Sequence, residues 1–277
     1  MKVKRDIHLL LLLICYTVVL SGFTSNRNDV FNIHTNNSFG RGERLEFRAH
    51  LGFINAAEAV MEIDENLHTV SGRPCYKVDI RAKTNSFFDL VMRVRDNWGS
   101  YIDTTAIIPM QAYRYIEEGK YRKYETIDFN HSKQSAIVND FDKKTKELTT
   151  KTPFNLPPEI QDMVSGYYYF RTINFDTLNY NDTIIVNTFF DKEVYNFRVK
   201  YLGRERLKTK FGKIQSIVLS PIMHKNKIFD GENSVKIWLS ADDNKIPLKC
   251  KASMFVGALE LDLKKYASLK YPLNFEK

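Results

Sequence analysis

Beyond residue 42, apolar and polar residues alternate with a period of two through most of the chain. Leu45, Phe47, Ala49 and Leu51 alternate with Arg44, Glu46, Arg48 and His50. Ala57, Ala59, Met61 and Ile63 alternate with Glu58, Val60, Glu62 and Asp64, and Tyr76, Val78, Ile80 and Ala82 with Lys77, Asp79, Arg81 and Lys83. Successive side chains of a strand point to opposite faces, so the pattern predicts strands with one buried and one wet face. Gln111–Glu117 and Tyr121–Phe129 flank Glu118-Gly119-Lys120 and read as a hairpin. A second hairpin is expected where Ala136–Phe141 turns at Asp142-Lys143-Lys144. Later strands are expected over Thr183–Phe190, Glu193–Tyr201, Ile214–Pro221, Ser234–Leu239, Leu248–Val256 and Ala258–Leu263. The fold class that follows is mainly β, a curved antiparallel sheet forming an open or partly closed barrel.

One segment departs from this period. Pro157-Pro158-Glu159 offers a helix start, and Met163, Val164, Tyr167, Phe170 and Arg171 follow at helical spacing. A single helix is therefore expected over about 158–172, packed on the sheet. Its aromatic face can serve as plain core packing. A helix over the mouth of a curved sheet also borders ligand cavities, which makes Met163, Tyr167 and Phe170 the candidate lining residues.

A short internal echo accompanies the strands. Val94-Arg95-Asp96-Asn97-Trp98 leads to Asp103 and then Ile108-Pro109; Val235-Lys236-Ile237-Trp238 leads to Asp242 and then Ile246-Pro247. Both read as strand, acidic turn, and proline at the start of the return strand. The match is also how β-hairpins are commonly punctuated, and alone it does not establish a duplication.

The first residues follow another pattern. Lys2, Lys4 and Arg5 precede an apolar run, Leu9–Ile14, continuing through Val18, Val19 and Leu20, and small residues follow at Ser21 and Gly22. This is the layout of a secretory signal peptide, with cleavage expected after residue 21 or 22. The alternative is a retained anchor, but a spanning helix needs about 20 apolar residues and this run is shorter. Phe23 stands where a lipoprotein signal would place cysteine. Residues 23–41 are rich in Asn, Ser and Thr and read as a flexible leader, leaving 42–272 as a single β-rich domain.

Removing 1–22 takes away three cations and one anion, so the formal net charge falls from +8 to +6. Export argues against nucleic acid as partner. A basic exported surface meets anionic lipid heads, acidic glycans or acidic proteins, or is simply solvated. Cys75 and Cys250 are the cysteines left after cleavage and form a candidate disulfide, the alternative being two buried free thiols. His34, His50, His68, His131 and His224 show no metal-ligand spacing with one another or with cysteine. Nucleophile elbow, zinc-protease motif and phosphate-cradling glycine loop are all missing, and Asp242-Asp243-Asn244 lacks the later ligands of a calcium loop. No cofactor and no catalytic residue is therefore assigned. A pair of carboxylates meeting in space, as in glycosidases, is outside what spacing alone can test.

Several motifs together resemble a known family. Gly42-Glu43-Arg44-Leu45-Glu46-Phe47 opens the domain, and Asp162-Met163-Val164-Ser165-Gly166-Tyr167-Tyr168-Tyr169-Phe170-Arg171 marks the helix. Val235–Asp242, Ile246-Pro247-Leu248-Lys249 and Gly257 close it. Over about residues 40–265 the chain resembles the exported bacterial family known as domain of unknown function 3108. The resemblance implies a periplasmic or envelope address and a single β-rich domain, and it brings no catalytic residues. The strand pattern is also similar to that of periplasmic lipoprotein carriers, unclosed barrels with an apolar concave face, a likeness of fold only. Three functions are consistent with this reading. The first is a non-enzymatic envelope protein holding a lipid or other amphiphile between aromatic side chains. The second is a scaffold with a filled core that binds another envelope protein or a glycan. The third is a hydrolase of envelope polymers. No transmembrane segment is expected after signal cleavage.

Overall fold

The computed structural model describes residues 32–223, 234–253 and 257–276, and Ile33–Lys277 make up one compact unit. The expected signal peptide, 1–22, and most of the expected leader lie outside the described residues. The strand expected over Leu248–Val256 falls partly outside them.

Among the described residues, fourteen strands form one antiparallel sheet. The first eight are β1 (Arg44–Leu51), β2 (Ile54–Val70), β3 (Arg73–Thr84), β4 (Arg95–Asp103), β5 (Pro109–Glu118), β6 (Tyr121–Asn130), β7 (Ser135–Phe141) and β8 (Leu148–Asn155). The remainder are β9 (Thr183–Phe190), β10 (Glu193–Thr209), β11 (Gly212–Pro221), β12 (Val235–Ser240), β13 (Pro247–Ser253) and β14 (Ala258–Ala267). Among the described residues, two short α-helices, α1 (Ser86–Asp89) and α2 (Met163–Phe170), and one 3-10 turn, Phe175–Thr177, interrupt them. The spatial order is β8-β7-β6-β5-β4-β3-β2-β1-β14-β13-β12-β11-β10-β9. The strands thus start near the middle with β1, meander to one edge, cross through α2 to the other edge, and return to pair β14 with β1. Every neighbour but β1–β14 is a sequential hairpin, the economical way to connect antiparallel strands.

The sheet is an open barrel whose two edges are brought together by the crossing segment. Gln161 lies parallel beside β9: its N–H donates to Asn187 O at 2.9 Å, and Phe189 N–H donates to Gln161 O at 2.8 Å. Phe189 packs into one cluster with Ile127, Phe129, Val138 and Leu156, so an edge strand is covered by residues from the opposite half of the sheet.

The helix begins later than the prolines suggest. Glu159 takes a left-handed φ of 54°, and the true N-cap is Asp162, whose carboxylate accepts from the N–H groups of Val164 and Ser165. Ser165 Oγ in turn accepts from Asp162 N–H at 2.9 Å, completing a capping box. The two aromatic sides of α2 divide the interior. Val164 and Tyr168 join Phe39, Ile63, Val78 and Ile102, whereas Phe170 joins Val186, Val199, Ile217 and Leu239. Phe39 is 1% exposed and Ser38 Oγ donates to Arg171 O at 2.7 Å, so the end of the expected leader is built into the core.

The internal echo is part of a larger repeat. β1 and β9 each have 8 residues, a two-residue turn follows each, and β2 and β10 each have 17. Both long strands shift register on their next neighbour, between Ile63 and Leu67 and between Tyr201 and Arg204. The displacement that separates Arg44 from Thr183 also separates Asp103 from Asp242. At those two turns Asp103 Oδ1 accepts from Thr105 and Ala106 N–H, and Asp242 Oδ1 from Asn244 and Lys245 N–H. β1–β6 and β9–β14 therefore repeat one six-strand plan, with β7, β8 and α2 between them.

The candidate disulfide is not formed: Cys75 and Cys250 are free thiols. Cys250 pairs across β14 with Leu261, which pairs with Ala49, then Ala57, then Thr84. Cys75 lies nine residues along β3 from Thr84, on the order of 30 Å at strand rise, against the roughly 7 Å a disulfide allows. Burial pushes both thiols up to about 11.

Candidate functional site

The helix spacing that singled out Met163, Tyr167 and Phe170 has a counterpart in space, because all three border one cleft of about 180 Å³ between α2 and β9–β12. Its opposite wall comes from Val186 on β9, Phe197 and Val199 on β10, Leu219 on β11 and Ile237 on β12. Met163 is 45% exposed and sits at the mouth, while Phe170 is buried. Gly166 borders the same space. The polar groups at the border are Asp162 and Thr188. Burial raises the Asp162 carboxyl above its ordinary range, against hydrogen bonds from Ser100 Oγ (2.6 Å), Ser165 and Val164. Burial likewise raises the Tyr167 hydroxyl. Such a surface can hold an aliphatic or aromatic group by exclusion of water and offers it little directional bonding.

The strand side of this cleft was not legible in the sequence. Val186, Phe197 and Ile237 lie on three strands whose alternation marks them as inward-facing and nothing more. Their meeting with α2 depends on the curl of the sheet and on the crossing segment.

Two basic grooves lie elsewhere. One, of about 550 Å³, is bordered by Arg48, His50, Phe53, Lys208, Lys210, Lys249 and Lys264. The other, of about 450 Å³, is bordered by Arg48, Glu58, Lys83, Asp89 and Arg95. Arg48 and Asn55 belong to both. His50 and Asp262 of the first groove and the neighbouring Glu260 come close enough to resemble a metal cluster. They are engaged as an ion-pair network instead. Lys249 Nζ contacts Glu260 and approaches Asp262 at 3.5 Å, and Lys251 Nζ reaches Glu260 at 3.0 Å. The His50 ring contacts Asp262 Oδ2 and Gly52 O, each at 2.6 Å; burial alone would lower its pKa, and these partners raise it above 6.5. A ring bonded through both nitrogens and a site already holding ammonium groups has no lone pair or charge deficit to offer a cation.

Among solved structures, the chain is similar to a β-barrel-like protein of domain of unknown function DUF1849 from Brucella abortus. The TM-score is 0.50 at 10% identity, covering 82% of this chain and 97% of that one. A protein of Parabacteroides distasonis, provisionally designated a lipoprotein, aligns with a TM-score of 0.36 at 10% identity, over 85% of this chain and 100% of its own. A Bacteroides fragilis protein with a YmcC-like fold, provisionally designated exported, aligns with a TM-score of 0.32 at 8% identity, over 85% and 100%. The Brucella likeness shows the β-barrel-like fold. No functionally curated protein matches the chain. The family model described as "Protein of unknown function (DUF3108)" matches residues 46–264, and the chain belongs to that family.

Proposed function

We propose that this is a non-enzymatic protein of the bacterial envelope that binds the apolar part of an amphiphile in the cleft between α2 and β9–β12. The observation that carries the reading is the wall composition: Met163, Tyr167, Phe170, Val186, Phe197 and Ile237 converge on one open space. The size of that space sets the ligand class. Drug-sized sites occupy roughly 300–1,000 Å³, so this smaller cleft suits a single acyl chain or one ring. The charged N-terminal start, apolar run and small residues read as an export signal and support an envelope address, where amphiphiles are abundant.

The test is titration with an undecanoic acid carrying a dansyl reporter, on wild type and Met163→Glu. Met163 is half in solvent, so the variant keeps the fold while placing a charge at the mouth. Saturable one-to-one binding, weakened by about tenfold or more in the variant, is expected, since a charge brought against apolar surface costs well over 1.4 kcal/mol. Absence of saturable binding, or equal affinity in the two proteins, refutes the proposal. Native mass spectrometry of protein taken from its own envelope identifies the natural occupant.

A further inference from the structure

At one rim of the sheet, neighbouring connections hold large apolar side chains out in solvent. The β1–β2 turn carries Phe53, 95% exposed, and Ile54 follows at 45%. The β3–β4 connection, which contains α1, carries Phe87, Leu90, Val91 and Met92 at 65, 85, 78 and 53%. Asn85 fixes the two side by side: its N–H donates to Ala56 O at 3.0 Å and its Nδ2 to Asn55 O at 2.5 Å. The β5–β6 turn adjoins them, with Gly119 N–H donating to Arg93 O at 2.8 Å.

The fold does not require this. In the second repeat the turn equivalent to Gly52-Phe53 is Asp191-Lys192, which is polar and ion-paired to Lys123 and Asp140. Turn tips ordinarily carry such residues, and a cluster of exposed Phe, Leu, Val and Met marks a surface that meets something apolar.

Charge identifies the partner. The two basic grooves flank the rim, and Phe53 borders the larger one. Arg48, Lys83, Lys208 and Lys210 are exposed there and form no salt bridge among the described residues; Arg48 and Lys83 flank Glu58, which Lys264 already contacts at 2.7 Å. A second copy of the chain would bring this cationic collar against itself, a like-charge juxtaposition that disfavours self-association. Apolar tips ringed by exposed cations match a bilayer whose headgroups are anionic: the tips enter the acyl boundary and the cations meet phosphates. We propose that this rim docks the protein on an anionic membrane surface. The inference is independent of the ligand cleft, since none of these residues borders it.

The test uses residues 23–277, which contain the whole compact unit and leave out the apolar N-terminal run. Binding is read by co-sedimentation with vesicles of phosphatidylethanolamine containing roughly a third phosphatidylglycerol, and with neutral phosphatidylcholine vesicles. Wild type is expected to sediment with the anionic vesicles and to be released by salt. Phe53→Ser with Leu90→Ser should weaken binding by about tenfold or more at unchanged melting temperature, because both side chains are solvent-exposed. Arg48→Glu with Lys83→Glu should abolish the preference for anionic over neutral vesicles. Failure of wild type to bind, binding untouched by both double variants, or a Phe53-dependent dimer in sedimentation velocity without vesicle binding overturns the proposal.

Discussion

Arg171 presents Nη1 and Nη2 to the two carboxylate oxygens of Glu43 at 2.5 and 2.7 Å, with the side chains 0 and 1% exposed. The same guanidinium donates from Nε to Asn244 O at 2.9 Å and from Nη2 to Ser38 O at 3.1 Å, and it lies over the Phe39 and Tyr168 rings. The end of α2 is thereby fastened to the segment before β1 and to the acidic turn of the second repeat. Arg171→Met leaves the Glu43 carboxylate buried without its partner and is expected to cost about 3–5 kcal/mol. Adding Glu43→Leu to that variant should recover part of the loss, because the stranded charge is then gone as well. Urea unfolding of the wild type, both single variants and the double variant closes the cycle; additive losses would show that the pair is not coupled.

Alternation made most strands legible because one face of the sheet is dry. Leu45 and Phe47 are buried while Arg44 and Glu46 reach solvent, and the register follows from that contrast. The helix is legible from its spacing, but Pro157 and Pro158 point to an earlier start than Asp162, and with Ser165 rather than Glu or Gln three residues on, the cap carries only a weak sequence signal. Phe39 stands alone in a polar stretch, and no periodic pattern marks a single buried residue. The helical half of the cleft was read from the spacing of Met163, Tyr167 and Phe170. The strand half and the apolar rim arise from connections distant in sequence, which only the folded sheet brings together.

Gly99 is in β4 because Tyr113 of β5 lies across it. A methyl group built on Gly99 would sit 2.0 Å from Tyr113 Cζ, and the ring is held there by its hydroxyl, which donates to Asp79 Oδ1 at 2.5 Å. Gly99→Ala must displace the ring or part the strands, at an expected cost of about 1–3 kcal/mol. With Tyr113→Ala as background the same substitution should cost markedly less, because the obstacle has been removed. Thermal unfolding of the four proteins reads the difference; an undiminished cost in that background would mean that the ring is not the cause.

Ile107 and Lys245 occupy corresponding turns with the same left-handed backbone, φ 51° and 48°. That conformation costs an L-residue roughly 1–2 kcal/mol, which glycine avoids. Lys245→Gly is expected to be neutral or to stabilise by up to about 1 kcal/mol. Ile107 is 0% exposed and packs with Val164 and Tyr168, so Ile107→Gly also deletes a buried side chain worth about 3–5 kcal/mol and must destabilise strongly. Opposite signs at equivalent turns are the expected result in urea unfolding. Equal losses at both would show that backbone strain at Lys245 is negligible.

Asp103 and Asp162 respond to burial in opposite directions. Burial acts to raise Asp103, but Arg73 Nε at 2.5 Å and the N–H groups of Ala106 and Thr105 outweigh it, and the carboxyl ends below 3.8. At Asp162 burial outweighs the bonds from Ser100, Ser165 and Val164, and the carboxyl ends above 3.8. A depressed folded pKa contributes stability that is full above the unfolded value and is lost as pH falls through the folded one. A raised folded pKa contributes stability that is full below the unfolded value and is lost as pH rises through the folded one. Asp103→Asn should therefore flatten the loss of stability below about 3.8, and Asp162→Asn the decline above it, each by at most about 1.4 kcal/mol per pH unit. Urea midpoints of the three proteins between about pH 2.5 and 7 separate the two effects. Curves that stay parallel to wild type would mean that neither carboxyl is linked to folding. A flattening on the wrong side of 3.8 in either variant would reverse the balance between burial and hydrogen bonding assigned to that residue.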